Sequence, residues 1–142
     1  MKVYFDTSGL IKKYLSETGS DNVIKMCSSA QALYSSRISY AEMMATLERK
    51  IREAKNLEKE LRVRIEEFQI HWLSINLIDV NENLKSFLDS ILSKHPLKGA
   101  DAIHLASALY ISQKLSGDLV FASADEKLLK AASSEHLSIY AC

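Results

Sequence analysis

Short β-prone runs alternate with helical segments along almost the whole chain, and this alternation constrains the fold more than any other feature. The first run is Lys2–Phe5, and the clearest is Leu119–Ala122, which is apolar enough to be buried on both faces. Further strand candidates are 32–35, 77–80 and 137–140. Strands that alternate with helices predict a parallel sheet with helices on both faces. Ligands of such α/β proteins bind beyond the carboxyl ends of the strands.

The predicted helices differ in how much of their surface is apolar. Amphipathic patterns run onward from Ser39 and again after Asn56, and they predict an antiparallel helical pair. The segment Ala100–Leu115 is instead apolar nearly all round, which predicts a central, buried helix. It nevertheless carries Asp101 and His104 near its start.

Length and composition favour one domain spanning residues 1–142. The chain has a mass of 16.0 kDa, and 47% hydrophobic residues suffice for a core without disulfide support. Cys27 and Cys142 show neither a disulfide framework nor the spacing of a zinc motif, so two ordinary thiols are expected. No signal-peptide core or stretch of membrane-spanning length is present, and we expect a cytoplasmic protein with no membrane partner.

Four carboxylates fall where a predicted strand meets a helix or in the first turn of a helix: Asp6, Glu42, Asp101 and Asp125. Each has a local alternative. Asp6 and Asp125 could cap helices, and Glu42 could complete a Ser39-x-x-Glu capping box. Asp101 could interact with a helix dipole. Capping does not account for Asp101 on an apolar helix, because a cap worth about 1 kcal/mol offsets only part of the desolvation cost.

A divalent cation would relieve the repulsion among four carboxylates held together at one edge of a sheet. Oxygen ligands without paired His or Cys favour Mg²⁺ or Mn²⁺ over zinc. Such an ion activates water for in-line attack on a phosphodiester, and a carboxylate outside its direct ligands can orient or deprotonate that water. The acids therefore predict a metal-dependent nuclease with one or two ions.

Charge is compatible with a nucleic-acid substrate but does not indicate one. Lys and Arg number 18, as do Asp and Glu, and the formal net charge is zero. Without the four proposed site acids, 14 acids remain against 18 bases. Seven of these bases lie on the predicted helical pair, where interspersed Glu residues favour a solvated, salt-bridged face over an RNA track. They are Arg49, Lys50, Arg52, Lys55, Lys59, Arg62 and Arg64.

Four motifs in order resemble the PIN domain family, and most closely its VapC-type toxins. They are Val3–Ser8, Ser39–Glu42, Gly99–Ala106 and Phe121–Asp125, and together they cover nearly the whole chain. The resemblance implies a three-layer α/β/α fold with a central, mainly parallel sheet. It also implies Mg²⁺- or Mn²⁺-dependent ribonuclease activity and a homodimer that is inhibited by a small cognate antitoxin.

The resemblance also assigns roles by motif position. The four acids take the acidic, metal-binding and catalytic roles of the family, with Asp125 at its most variable position. Ser8 and Ser123 match positions where a hydroxyl helps to set the site, although the family often has Thr at the second. Beside the resemblance, Thr7 next to Asp6 is a further supporting hydroxyl that could bond phosphate, although a turn hydroxyl explains it as well. For His104 a core or interhelical role is favoured over a contact with substrate or with the site.

Lysines close in sequence to the acids are candidates for contacts with RNA. They are Lys12, Lys13, Lys98 and Lys127.

These observations lead to the hypothesis of a toxin endoribonuclease that cleaves structured RNA by metal-activated water. One alternative is a non-catalytic PIN-like RNA-binding or scaffold module whose acids only cap helices. A second is phosphotransfer through an aspartyl phosphate. This second alternative is disfavoured because Ser8 stands where the phosphatase motif needs a second Asp, and Phe5 precedes Asp6 where receiver modules have an acid.

Overall fold

The computed structural model describes all residues, 1–142, and contains five strands and seven helices. The strands are β1 (Lys2–Phe5), β2 (Ala32–Ser36), β3 (Asn76–Ile78), β4 (Val120–Ser123) and β5 (Ser138–Ala141). The helices are α1 (Thr7–Leu10), α2 (Ser20–Ser29), α3 (Ser39–Glu53), α4 (Glu58–Trp72), α5 (Lys85–Lys94), α6 (Gly99–Lys114) and α7 (Glu126–Ser134). Short 3₁₀ turns occupy Ile11–Lys13, Lys55–Leu57 and Glu82–Leu84.

The five strands form one sheet in the order β3-β2-β1-β4-β5, and every neighbouring pair is parallel. In the centre, Val3 of β1 pairs with Leu33 on one side and with Val120 on the other. The chain builds outward from β1 through β2 to β3, and then continues on the opposite side of β1 with β4. The boundary between β1 and β4 is therefore the point where the strand order reverses, which is where α/β sheets bind ligands.

Alternation along β1 divides the apolar residues into two cores. Val3 and Phe5 pack with residues from α1, α2, α3 and α4, whereas Tyr4 packs with residues from α5, α6 and α7. Successive strand residues point to opposite faces of a sheet, so these two sets of helices cover opposite faces. The three-layer α/β/α fold with a parallel sheet is thereby confirmed.

The helices α3 and α4 form the antiparallel pair that their patterns predict. Gln69 near the end of α4 donates to the Tyr40 hydroxyl at the start of α3, at 3.1 Å. Arg62, nearer the start of α4, forms an ion pair with Glu48, which lies farther along α3. Such pairs confirm that charges on this surface neutralise one another, and exposed pairs of this kind contribute little stability.

Two boundaries differ from the sequence prediction. The residues after Gly9 predict a helix from about Leu10 to Leu15, whereas the first helix begins at Thr7 and passes into a 3₁₀ turn at Ile11. It begins early because the Asp6 carboxylate accepts a hydrogen bond from the Gly9 N–H at 2.9 Å. The third strand ends at Ile78 rather than at residue 80.

None of the helices is both long and apolar enough to cross a lipid bilayer. Cys27 and Cys142 are both free thiols.

Candidate active site

The junction between β1 and α1 fixes the first acid. The Asp6 N–H donates to the Ala122 carbonyl of β4 at 3.2 Å, and its carboxylate caps α1. Gly9 is packed against the same strand, since a Cβ added there would lie 3.1 Å from the Ala122 oxygen. Asp6 is consequently held in the groove between the two central strands, with 3% of its surface exposed.

Two serine hydroxyls hold the Asp6 carboxylate. Ser8 Oγ lies 2.9 and 2.8 Å from its two oxygens, and Ser123 Oγ donates to Oδ2 at 2.8 Å. The N–H groups of Ala124 and Asp125 donate to these hydroxyl oxygens, each at 3.0 Å, and leave the hydroxyl protons for the carboxylate. Burial raises the pKa of Asp6, and the hydrogen bonds counter only part of that effect.

Glu42 lies in the first turn of α3 but does not cap it. The N-cap position belongs to Ile38, which makes no side-chain cap, and Ser39 Oγ lies 2.7 Å from Ser35 Oγ. The capping-box interpretation of Glu42 is therefore wrong. Its Oε1 instead accepts hydrogen bonds from His104 Nε2 at 2.7 Å and from Thr7 Oγ1 at 2.8 Å. These bonds, the one from His104 first, lower the pKa of Glu42.

His104 is buried, as the core interpretation expects, but it is also joined to the acids. Its Nε2 contacts Glu42, and its Nδ1 lies 3.0 Å from the Tyr4 hydroxyl. Neither this link nor a role for Tyr4 follows from the sequence motifs. A usable signal was present, because a tyrosine in a buried central strand needs a hydrogen-bond partner for its hydroxyl.

The other two acids lie at the starts of helices, Asp101 in α6 and Asp125 directly before α7. Asp125 caps α7, and its Oδ1 accepts from the N–H groups of Lys127 at 2.9 Å and Leu128 at 3.1 Å. Asp101 is partly buried in the first turn of α6. Its pKa is raised, first by burial and then by the negative charges of Asp125 and Glu42. Asp101 is thus within electrostatic reach of two of the other predicted acids.

The donor set suits a hard divalent cation. It consists of carboxylate and hydroxyl oxygens, and the repulsion that raises the Asp101 pKa is the kind that a cation relieves. No group of three or more His, Cys, Asp or Glu side chains is close enough to enclose an ion. Mg²⁺ usually retains several waters and needs only one or two direct carboxylate ligands, so the residues fit such an ion.

The four candidate lysines have different surroundings. Lys12 Nζ donates to the carbonyls of Thr18 at 2.6 Å and Cys142 at 3.0 Å, and Lys13 Nζ lies 3.2 Å from His71 Nδ1.

The other two lysines lie beside site acids. Lys98 precedes α6, and its positive charge opposes the upward shift of the Asp101 pKa. Lys127 is exposed in the first turn of α7, which Asp125 caps. Of the four candidate lysines, these two therefore lie beside the acids.

Comparisons with known proteins agree with this geometry. The family model of the PIN domain matches residues 3–133. "Ribonuclease VapC45" of Mycobacterium tuberculosis (strain CDC 1551 / Oshkosh) is 32% identical over 109 residues, which cover 77% of this chain and 76% of that protein.

Solved structures show the same fold at lower identity. VapC20 of Mycobacterium tuberculosis, described as a sarcin-ricin loop cleaving toxin, gives a TM-score of 0.63 at 12% identity, covering 91% of this chain and 94% of its own. A toxin-antitoxin complex from Klebsiella pneumoniae gives a TM-score of 0.59 at 18% identity, covering 87% of this chain and 86% of its own. With its family model matched from the first strand to the last helix, the chain belongs to the PIN domain family.

Proposed function

We propose that the protein is a Mg²⁺- or Mn²⁺-dependent endoribonuclease, the toxin of a type II toxin–antitoxin pair. It acts on structured RNA in the cytoplasm, as a single nuclease domain spanning 1–142. The observation that carries the proposal is the placement of the acids at the switch point of the sheet, where Asp6 is buried between β1 and β4 and the charges of Asp125 and Glu42 reach Asp101. The ribonuclease relative supports the same class of reaction.

The acids have distinct parts in this proposal. Asp6 and Asp101 hold the cation, Glu42 is a further ligand or the base that orients the attacking water, and Asp125 completes the acidic ring. When bound, the cation lowers the pKa of a water molecule and neutralises charge that develops on the phosphoryl oxygens. Ser8 and Ser123 keep the Asp6 carboxylate oriented, because both donate hydrogen bonds to it.

A small cognate antitoxin and a second copy of the chain are the proposed protein partners. The toxin–antitoxin complex from Klebsiella pneumoniae, whose fold this chain shares, supports the first of these. A second copy of the chain could cover exposed apolar side chains at the end of α4. These include Ile70 on the helix and Leu73 just beyond it.

A non-catalytic scaffold is the competing function, and one observation favours it. Asp6 and Asp125 both act as helix caps, so a structural reason for two of the acids exists without any cation. This alternative predicts that the acids affect stability only.

Asp101→Asn separates the two functions, because the side chain keeps its size and loses its charge. The measurement is Mg²⁺-dependent cleavage of a labelled RNA hairpin, with a chelator as the blank and circular dichroism as the test of folding. We expect cleavage to fall by more than about 100-fold, beyond the roughly 10- to 100-fold typical of groups that only support a ligand.

Asp89→Asn is the matched control, since Asp89 is exposed on α5 and forms only a 3.9 Å ion pair with Lys85. It should leave cleavage unchanged. Undiminished cleavage by Asp101→Asn, in a preparation free of other ribonucleases, would overturn the proposal.

A further inference from the structure

His104 connects the buried interior of the sheet to the site through both of its ring nitrogens. The ring is 2% exposed, with Nδ1 3.0 Å from the Tyr4 hydroxyl and Nε2 2.7 Å from Glu42 Oε1. Tyr4 is itself immobilised, fully buried in β1 and stacked on Phe121 with ring centroids 5.6 Å apart. The histidine therefore has a rigid support on one side and a site acid on the other.

Hydrogen-bond chemistry fixes which groups donate in the series from Tyr4 through His104 to Glu42. Glu42 Oε1 is a carboxylate oxygen that also accepts from Thr7 Oγ1, so Nε2 must carry a proton and donate it. The buried Tyr4 hydroxyl can donate its proton to Nδ1. In the neutral ring, Tyr4 donates to Nδ1 and thereby selects the tautomer protonated on Nε2. In a cationic ring, the donation from Nε2 to Glu42 is the same.

The two hydrogen bonds to Glu42 end on the same oxygen. Thr7 Oγ1 donates to Oε1 at 2.8 Å, beside the bond from His104, while Oε2 receives neither. A glutamate side chain has several rotatable bonds and loses rotamer freedom when it is ordered in this way. Oε2 is consequently left as the oxygen available to a cation or to the attacking water.

The connection also joins two helices that carry site acids. Glu42 belongs to α3, whereas His104 belongs to α6, where it lies three residues after Asp101 and on the same face. A shift of α6 relative to α3 would therefore move Asp101 and would also change the hydrogen bond that His104 gives to Glu42.

We propose that Tyr4 and His104 are positioning residues, which act in series to hold Glu42 by Oε1 and to present Oε2 to the reacting groups. The proposal rests on the nuclease function proposed above, and it adds two residues that touch neither the cation nor RNA. It assigns to His104 the role of a hydrogen-bond donor at Nε2. The longer amide side chain of glutamine can reproduce this donor, whereas the shorter one of asparagine cannot.

His104→Gln and His104→Asn form the test pair. Glutamine places its amide donor near the position of Nε2, whereas asparagine is one carbon shorter and falls short of Glu42. We expect His104→Asn to lower kcat by about 10- to 100-fold and to raise the Mn²⁺ concentration for half-maximal cleavage, with the KM for RNA unchanged. His104→Gln should recover most of that loss.

His136→Asn controls for the substitution, because His136 is exposed and has a φ of 66°, a conformation that asparagine tolerates. It should behave as the wild type. Equal losses in His104→Gln and His104→Asn, or no loss in either, would overturn the proposal.

A readout on metal-free protein separates this proposal from the nuclease function. In ¹⁵N NMR of ring-labelled histidine, the signals that His104→Gln removes identify His104 among the four histidines of the chain. We expect a proton on Nε2 in the wild type, and in Tyr4→Phe a shift of the Nδ1 signal, because this nitrogen loses its hydrogen-bond donor. A neutral ring protonated on Nδ1 would overturn the positioning role even if RNA is cleaved. Absence of cleavage by the wild type, with the Nε2 tautomer present, would overturn the nuclease function alone.

Discussion

At the scale of single residues, Asp6 and Asp101 differ both in burial and in the groups that compensate their charge, since Asp6 is buried and Asp101 is partly exposed. Asp6 accepts hydrogen bonds from Ser8, Ser123 and the Gly9 N–H, which stabilise its charge. Asp101 has no comparable set of donors, and its pKa is raised by burial and by neighbouring acids. In the absence of a cation, Asp101 is therefore a charge that the fold tolerates at a cost in stability.

This cost leads to a prediction about pH. Because the pKa of Asp101 is raised on folding, the folded state binds more protons than the unfolded state between the unfolded pKa, about 3.9, and the raised value. The free energy of unfolding contributed by this group therefore falls as pH rises through that window. Asp101→Asn should make the metal-free protein more stable at pH 7, by at most about 1 kcal/mol for a partly exposed charge.

Urea unfolding at pH 7 and near pH 3.5 measures this difference. The gain from Asp101→Asn should shrink at the lower pH, where the carboxyl is mostly protonated in both states. A variant that is less stable than the wild type at pH 7 would contradict the account of Asp101 as an uncompensated charge.

At the scale of elements, the close approach of α1 to β4 is what brings Asp6 and Ser123 together. Gly9 makes this approach possible, because a Cβ at this position would lie 3.1 Å from the Ala122 oxygen, from Cys142 Sγ and from Phe5 Cδ1. The carbonyl belongs to a central strand and the phenyl ring to the core, so neither can give way cheaply.

Gly9→Ala should therefore destabilise the protein by about 1–3 kcal/mol, the range for overpacking in a closely packed interior. Thermal or urea unfolding measures the loss. Gly99→Ala supplies the comparison, since its Cβ would meet nothing within 4 Å at the start of α6. That variant should be neutral or slightly stabilising. Equal effects of the two substitutions would show that the contact between α1 and β4 is not tight.

At the scale of the whole molecule, the alternation of strands and helices was sufficient to predict the parallel α/β architecture. The antiparallel helical pair and the burial of α6 also followed from apolar periodicity, because both depend on patterns within one segment. The order β3-β2-β1-β4-β5 did not follow from any local pattern, since the pairing of β1 with β4 joins segments more than 110 residues apart.

The candidate site likewise has features that the sequence predicts and features that it does not. The four acids could be identified because each lies at a recognisable junction of elements, and the motif resemblance supplied their grouping. The contacts of Glu42 could not be identified, because Thr7 and His104 reach it from two other elements and Tyr4 supports His104 from a third. At Ser39 the local Ser-x-x-Glu motif predicts a capping box that does not form, because the Ser39 hydroxyl is hydrogen-bonded to Ser35 instead.

The central claim is that acids from separate elements form one cation site, and Mn²⁺ binding measured by calorimetry at neutral pH tests it most directly. The account predicts binding to the wild type and to the Asp89→Asn control, and binding weakened by at least about 10-fold in Asp6→Asn. No binding to the wild type, or the same affinity in wild type and Asp6→Asn, would contradict it.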